Sequence, residues 1–325
     1  LFLSQNRIWF LNKFESFKTK LSEIYNSDFE KVFATHSQKR AKTFRINRLV
    51  DSNSARALEM LTNEGIKYEL TSIPNFYIVT DESVALSRTE AFNKNLIYIQ
   101  ELSSALPVIE LNPKPSEKIL DMCASPGSKT SLIQSITNNQ SYTVAVEKNR
   151  NRFFKLKDNL NENGVANVNT FNIDANRLIF IKPDFNNYFD KVLVDVPCTT
   201  ESKINLLDPD ALKEWKPSNA KDISKLQKGL LNSAFKMLKR NGTLIYSTCT
   251  YSVEENEEVV NWFLKKNPNA KLIDIELNLE SLRPGKLEYK NKKFDNDILK
   301  TARILPTEEF TAFYLAKITK LWVKL

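Results

Sequence analysis

Two of the three cysteines in this 325-residue chain follow runs of residues that read as β-strands. Cys198 closes the segment Asp195-Val196-Pro197-Cys198, and Cys249 lies in Ser247-Thr248-Cys249-Thr250. A buried cysteine is commonly structural, so either residue alone would indicate little. Two cysteines at neighbouring strand ends, with Asp195 three residues before one of them, favour a chemical role.

The chemistry that suits two thiols is addition to an electron-poor carbon. Carbon 6 of a pyrimidine is such a carbon once the ring nitrogen is protonated or hydrogen-bonded. Addition there makes carbon 5 nucleophilic enough to take a methyl group from a sulfonium donor. A second group must then remove the proton at carbon 5, and a second thiolate is a plausible base where no histidine is available.

Composition excludes several other classes of site. His36 is the only histidine and is distant in sequence from every cysteine, which excludes Ser-His-Asp and Cys-His hydrolases. Three cysteines exclude a disulfide framework and, with one histidine, are too few for a zinc site, so no metal is expected. Reduced thiols fit the cytoplasm or an organelle matrix. No apolar run is long enough to predict a membrane span.

The charge balance indicates an anionic partner. The formal net charge is +8 and the isoelectric point is near 9.1, for which nucleic acid is the first explanation and a lysine-rich solvated surface the alternative. A basic cluster is predicted to contact phosphate groups. It consists of Lys39, Arg40, Lys42, Arg45 and Arg48.

The residues before about 95 read as a small α+β module. Residues 1–35 are predicted to form an amphipathic helix, followed by a short strand, a helix over Ala55–Asn63 and strands at Tyr68–Thr71 and Phe76–Val79. An RNA-binding module and a structural cap both fit this pattern. The predicted domains are residues 1–95 and residues 96–325.

From about residue 100 the chain alternates between strands and helices, which predicts a mostly parallel sheet covered on both faces. Ligands of such sheets bind at the carboxyl ends of the strands. Ser252 and Glu255 have the spacing of a capping box and predict a helix start at about Glu254. The strands are predicted at Lys118–Asp121, Tyr142–Val146, Val168–Asn172, Asp190–Val196 and Thr243–Ser247.

The first of these strands leads into a tight turn and a helix, which would present free backbone amides to a ligand. The turn runs through Cys123, Ala124, Ser125, Pro126, Gly127, Ser128 and Lys129. Glu147 follows the second strand and could accept hydrogen bonds from a ribose diol, and Asp174 follows the third and could accept from an adenine amino group. Alternatively, the turn is only a tight connection between strand and helix, and Glu147 and Asp174 are exposed acids that bind no ligand.

Together these segments resemble the Sun/Nop (RsmB/NOP) family of RNA (cytosine-5) methyltransferases. The turn from Cys123 to Lys129 resembles the family's CAAPGGK loop, with Ser128 in place of its second glycine. The segment ending at Cys198 resembles the DAPC motif, and Tyr246–Thr250 resembles the YSTCS motif. The resemblance implies a Rossmann-like class I methyltransferase domain that uses S-adenosylmethionine.

The resemblance also implies roles for single residues. Cys249 would be the nucleophile, Cys198 would assist release of the product, and Asp195 would hold the cytosine. Lys129 would lie near cofactor and base. The residues implied to bind the cofactor are the Cys123–Lys129 loop, Glu147, Arg152, Asp174 and Asp195.

The expected activity is formation of 5-methylcytosine in rRNA or tRNA by a monomer. Two alternatives stay open. A DNA cytosine-5 methyltransferase uses a single Pro-Cys nucleophile and would not need Cys249. A catalytically silent RNA-binding or ribosome assembly factor would be marked by loss of Cys249 or Asp195, and both residues are present.

Overall fold

The computed structural model describes residues 2–322 except 53 and 82, and for residues 2–10 it describes the backbone only. Residue 1 and residues 323–325, which belong to the predicted domain ranges, lie outside the described residues. The described helices are α1 (Phe2–Tyr25), α2 (Phe29–Ala34), α3 (Ala55–Asn63), α4 (Glu90–Asn93), α5 (Leu102–Leu111), α6 (Ser128–Ile136), α7 (Arg150–Glu162), α8 (Leu178–Ile181), α9 (Asn219–Met237) and α10 (Glu257–Lys266).

The strands form one large sheet, one small sheet and a two-stranded ribbon within this described part of the chain. They are β1 (Lys42–Ile46), β2 (Tyr68–Leu70), β3 (Phe76–Val79), β4 (Ile97–Ile99), β5 (Lys118–Asp121), β6 (Tyr142–Val146), β7 (Val168–Phe171), β8 (Phe189–Asp195), β9 (Leu238–Thr248), β10 (Ala270–Ile273), β11 (Leu282–Pro284), β12 (Glu288–Tyr289), β13 (Lys292–Lys293), β14 (Ala302–Ile304) and β15 (Phe313–Lys320).

The large sheet has the order β11-β14-β15-β9-β8-β5-β6-β7, with β10 paired to β15. The five strands from β5 to β9 pair in parallel, as the strand–helix alternation predicts. The other four strands pair antiparallel, so the sheet is mixed rather than mostly parallel. The strand order reverses between β5 and β8, and such a reversal creates a crevice at the carboxyl ends where α/β folds bind ligands.

The parallel strands are apolar on both sides because helices cover both faces of the sheet. Along β8, Val192 and Val194 point into one core with α9 and α10, and Leu193 between them points into a second core with α5 and α6. All three side chains are fully buried. This alternation fixes the register of β8 and therefore the position of whatever follows it.

The small sheet corrects the predicted domain boundary. Its order is β2-β3-β1-β4, so Ile97–Ile99 belongs to this module although it lies beyond residue 95. The N-terminal segment does not belong to it, because Phe17 and Leu21 of α1 pack with Tyr251 and Leu305, which lie in or beside the large sheet. The segment also forms two helices, α1 and α2, rather than the single helix predicted for residues 1–35.

The predicted capping box is also wrong. Helix α10 begins at Glu257, and its N-cap residue Asn256 makes no side-chain capping bond. The Ser252 hydroxyl donates instead to Glu201 at 2.9 Å and accepts from Lys20 at 2.5 Å. The Glu255 carboxylate accepts from residues of the Cys198 loop. Both side chains are engaged elsewhere, so the helix starts later.

Two further findings on the described residues concern membrane-spanning helices and metal sites. Among them, no helix combines the length and apolarity needed to cross a membrane. The same residues contain no group of three or more histidine, cysteine or acidic side chains arranged to hold a metal ion.

Candidate active site

The two cysteines meet at the carboxyl ends of β8 and β9. These strands are parallel neighbours, with Asp195 opposite Ser247 in register. Cys198 and Cys249 follow a few residues later on adjacent loops, and their sulfurs lie 3.2 Å apart. Both are free thiols, and both are half-buried. The strand positions predicted from sequence therefore bring the two thiols into direct contact.

This contact separates the acidities of the two thiols. A hydrogen bond from Cys198 lowers the pKa of Cys249, with help from the Lys203 and Lys129 charges and against the effects of burial and Asp195. The same bond, together with burial, raises the pKa of Cys198 well above its usual value. The pair therefore favours a Cys249 thiolate that accepts the proton of a neutral Cys198 thiol.

The third cysteine behaves differently. Burial raises the pKa of Cys123 well above its usual value, and nearby acids, Asp121 first among them, add to this effect. Cys123 is thus held as a neutral thiol in the loop after β5 and is a poor nucleophile.

An ion pair lies beside the reactive thiols. Lys129 Nζ donates to Asp195 Oδ2 at 2.7 Å and to Ser104 Oγ at 2.9 Å. The Ser247 hydroxyl donates to Asp195 Oδ1 at 2.7 Å. Burial, the largest single effect, would lower the pKa of Lys129, but the charge and hydrogen bond of Asp195 and the charges of Asp121 and Cys249 together raise it. The lysine keeps its proton, and the carboxylate is oriented from both sides.

The loop from Cys123 to Lys129 turns sharply into α6. Gly127 has a φ of 110°, and a Cβ atom there would lie 3.2 Å from the Leu156 side chain on α7. Glycine is required at this position by both conformation and space. Ser128, which replaces the family's second glycine, is the first residue of α6 and is not among the residues with positive φ. The substitution is therefore compatible with the turn.

The acids predicted after β6 and β7 are placed around this loop. Glu147 is 6% exposed, accepts from the Asn149 amide at 2.8 Å and lies 3.4 Å from Arg152. Arg152 also donates to the carbonyl of Ser125 at 2.9 Å, which joins the acid to the loop. Asp174 pairs with Lys148 at 2.8 Å. Arg152 therefore links Glu147 to the loop, whereas Asp174 follows the neighbouring strand β7.

Asp121, the last residue of β5, was not singled out from the sequence. Burial raises its pKa to about 6, and Thr130 donates to its Oδ2 at 2.7 Å. Its buried Oδ1 has no hydrogen-bond partner among the described residues. Its charge helps to raise the pKa of Lys129, so Asp121 belongs to the surroundings of the Lys129–Asp195 pair. Asp121 lies at the end of a strand, and the same signal that predicts a role for Glu147 would have identified it.

Four of the five basic residues are exposed, as a phosphate-binding surface requires. Lys39, Arg40 and Lys42 line a cavity of about 790 Å³ between the small module and residues 306–311. Arg40 donates to the carbonyl of Ser202, so this cavity adjoins the loop that contains Cys198.

The prediction for Arg45 is wrong in this structure. Its side chain is 2% exposed and lies over the ring of Tyr98, 4.5 Å from its centre. It donates to Gln100 at 2.9 Å and to Ser131 at 2.8 Å. The catalytic domain covers this face of β1, so Arg45 joins the two parts of the protein instead of meeting a phosphate.

The fold is that of a class I methyltransferase. A crystal structure of a methyltransferase homologue from Pyrococcus horikoshii superimposes with a TM-score of 0.81 at 27% identity, over 96% of this chain and 99% of that one. The sequence model of the family described as 16S rRNA methyltransferase RsmB/F matches residues 108–319. The chain belongs to this family, whose methyl donor is S-adenosylmethionine. The predicted family, fold class and cofactor are thereby confirmed.

Named relatives differ in how much of their length the chain spans. The tRNA (cytosine(49)-C(5))-methyltransferase of Pyrococcus abyssi is 36% identical over 316 residues, which cover 95% of this chain and 98% of that protein. Ribosomal RNA small subunit methyltransferase F of Cronobacter sakazakii is 37% identical over 226 residues, 67% of this chain but 46% of that protein. The chain therefore spans about half the length of this second relative.

Removing the Cys198 donor should make Cys249 less acidic. In Cys198→Ala the sulfur of Cys249 loses its hydrogen bond, so the pKa of Cys249 rises and its alkylation by iodoacetamide shifts to higher pH. Mass spectrometry after timed labelling at a series of pH values measures the rate at each cysteine. Cys198→Ser keeps a hydroxyl donor and should shift the profile less. An unchanged profile in the alanine variant would contradict the assigned hydrogen bond.

Proposed function

We propose that this protein transfers the methyl group of S-adenosylmethionine to carbon 5 of a cytosine in RNA, with Cys249 as the covalent nucleophile. The observation that carries the proposal is the contact between the Cys198 and Cys249 sulfurs beside the Asp195–Lys129 pair. The RNA cytosine-5 methyltransferases among the relatives support the reaction class.

Attack begins from the Cys249 thiolate. Its electron pair forms a bond to carbon 6 of the cytosine, and the electrons of the ring double bond move so that carbon 5 becomes nucleophilic. Asp195, oriented by Lys129 and Ser247, holds the base by accepting hydrogen bonds from the cytosine amino group and from the ring nitrogen once this nitrogen has taken up a proton from solvent. Bound S-adenosylmethionine supplies the methyl group that carbon 5 takes.

Release requires a base, and formation of the thioether changes which thiol can act as one. In the free protein the Cys249 sulfur accepts the proton of Cys198 and holds the pKa of Cys198 high. Once Cys249 is bonded to carbon, that negative charge is gone and Cys198 can ionise more easily. The Cys198 thiolate then takes the proton from carbon 5, the double bond reforms, and the bond between carbon 6 and sulfur breaks.

The residues around the loop fit the cofactor by the chemistry of their donor set. The first amides of α6 and the loop backbone supply donors, Glu147 supplies an acceptor for a ribose diol, and Asp174 one for an amino group. Arg152 orients Glu147 and the loop.

For the RNA class we propose tRNA. The similarity extends over 98% of the tRNA-modifying relative and over 46% of the ribosomal one, so more of the former has a counterpart in this chain. The basic residues around the cavity beside Ser202 offer a path for an RNA backbone toward the cysteines. One chain carries both cysteines, the loop and the acids, which supports action as a monomer.

The thiol contact also bears on the two alternatives. A DNA-type enzyme needs one cysteine, whereas here Cys249 is the thiol with the lowered pKa and Cys198 the one with the raised pKa. A silent RNA-binding factor has no use for a thiolate beside an oriented carboxylate. Both alternatives are tested by transfer of radiolabelled methyl groups to purified tRNA, rRNA and DNA.

The alanine variants of the two cysteines should be blocked at different steps of the reaction. Cys249→Ala should abolish turnover and form no covalent RNA adduct. Cys198→Ala permits attack and methylation but stalls elimination, so a protein–RNA complex should accumulate with cofactor and survive denaturing electrophoresis. An adduct from Cys249→Ala but not from Cys198→Ala would reverse the two roles, and equal behaviour without adduct would indicate structural cysteines.

Glu147→Ala should weaken S-adenosylmethionine binding by about 1.5–3 kcal/mol, the value of hydrogen bonds to a charged acceptor. Isothermal titration calorimetry measures this directly. Asp158→Ala, which removes an exposed acid from α7, is the matched control and should bind as wild type. Unchanged affinity in Glu147→Ala would remove this residue from the cofactor site.

Neutralising Lys39, Lys42 and Arg48 together should weaken RNA binding and flatten its salt dependence. Each lost phosphate contact reduces the slope of log K against log salt by about 0.7–0.9. Filter binding to tRNA at a series of salt concentrations gives the slope. Lys265→Gln with Lys271→Gln, on α10 and β10, is the control. A slope equal to that of wild type would place the RNA path elsewhere.

A further inference from the structure

Each active-site cysteine is followed directly by a threonine, Thr199 after Cys198 and Thr250 after Cys249. The two threonine hydroxyl oxygens lie 2.7 Å apart, one residue along each loop from sulfurs that are 3.2 Å apart. The two loops are therefore joined side by side at two successive positions, and only the first of these takes part in the proposed chemistry.

Glu255 binds both sides of this second contact. Its carboxylate accepts from the Thr199 amide at 3.0 Å and from the Thr199 hydroxyl, and the Thr250 hydroxyl lies 3.3 Å from its Oε1. Gln227 on α9 donates to the same carboxylate at 2.9 Å and to the carbonyl of Pro197 at 3.0 Å. The residues on both sides of the first cysteine are thus held by one acid–amide pair.

The cluster has fewer hydroxyl protons than acceptors. Each threonine hydroxyl has a single proton to donate. Thr199 donates to Glu255, and Thr250 has one proton for three neighbouring acceptors, the Thr199 oxygen at 2.7 Å, Glu201 at 2.9 Å and Glu255 at 3.3 Å. Glu255 is fully buried and receives three donors, the Thr199 amide, the Thr199 hydroxyl and Gln227.

A neighbouring acid shows that burial alone does not give this arrangement. Glu257, two residues further on, is equally buried and pairs with Arg303 at 2.6 Å. Arg303 in turn donates to the carbonyl of Tyr251. Glu257 therefore supports the end of the Cys249 loop through a cation, whereas Glu255 touches the residue next to each cysteine.

We propose that Glu255 is a positioning residue for the methyl transfer: through Thr199 and Thr250 it keeps the Cys198 and Cys249 sulfurs in contact. The catalytic meaning of this inference rests on the proposed function. The sulfur contact itself is measurable without RNA, because two adjacent thiols give up two protons and two electrons to the oxidant diamide and form a disulfide.

The test compares four variants of the full chain. Glu255→Ala removes the acceptor, and Thr199→Val replaces the bridging hydroxyl with a methyl group of similar shape. Glu255→Gln can still accept from the Thr199 amide through its oxygen and donate to the Thr199 hydroxyl through its nitrogen, so it should keep the contact. Glu258→Gln is the matched control, three residues further along in helix α10, where the acid pairs with Lys292 instead.

Three quantities are measured for each variant: the rate of the Cys198–Cys249 disulfide with diamide, read by mass spectrometry, the affinity for S-adenosylmethionine, and kcat on tRNA. Glu255→Ala and Thr199→Val should form the disulfide at least about tenfold more slowly. Their kcat should fall on the order of 10²-fold, the loss that a misplacement of about 1 Å produces. Cofactor affinity should be unchanged, and Glu255→Gln and Glu258→Gln should resemble wild type.

Several results would overturn the inference. These are a wild-type rate of disulfide formation in Thr199→Val, a wild type that forms no disulfide, and a Glu255→Gln variant as impaired as Glu255→Ala. If Glu255→Ala does not fold, Thr199→Val decides alone. If no variant, including wild type, methylates any RNA while the disulfide rates follow the expected order, the proposed function fails and the positioning of the sulfurs stands.

Discussion

The parallel pairing of β8 with β9 is the constraint on which the site depends. Asp195 and Ser247 are opposite each other in these paired strands, so the two strands end side by side and the residues that follow them come into contact. Side chains alternate along a strand, so a slip of one residue would turn Asp195 away from its partners and break the core below it. The apolar faces of β8, which fix the register, therefore also fix the distance between two sulfurs.

Around the two loops, buried charged side chains make hydrogen bonds that the irregular backbone cannot make within itself. Glu201 is 1% exposed and accepts from Lys20, Trp215, Thr250 and Ser252. Burial, the largest single effect, would raise its pKa, but the charge of Lys20 and the hydrogen bonds of Lys20, Trp215 and Ser252 together lower it. A buried carboxylate is costly unless every lone pair finds a donor. Because these donors come from three separate segments of the chain, the loops have few alternative arrangements, which suits a site that depends on contact distances.

Much of the site can be predicted from the sequence, because most of its residues lie at the ends of strands that the sequence pattern reveals. The alternation of strands and helices, the glycine turn and the residues Glu147, Asp195, Cys198 and Cys249 are local features. The burial of Arg45 is not, because it depends on a second domain covering one face of β1. Nor is the role of Glu255, whose spacing from Ser252 matches a helix cap that the structure does not use. Strands β10 to β14 have two to four residues each, too few to show an alternating pattern, so they are not predicted from the sequence.

The contact between Lys20 and Glu201 joins residues 181 positions apart, and Lys20 also reaches Ser252, 232 positions away. A chain that leaves the ribosome at about 5–20 residues per second exposes Lys20 on the order of 10 s or more before its partners exist. In that interval the apolar face of α1 lacks Trp215, Tyr251 and Leu305, against which Phe17 and Leu21 pack in the folded protein. The helix is thus synthesised well before the residues on which it docks, and the reactive loops close only after Ser252 has been made.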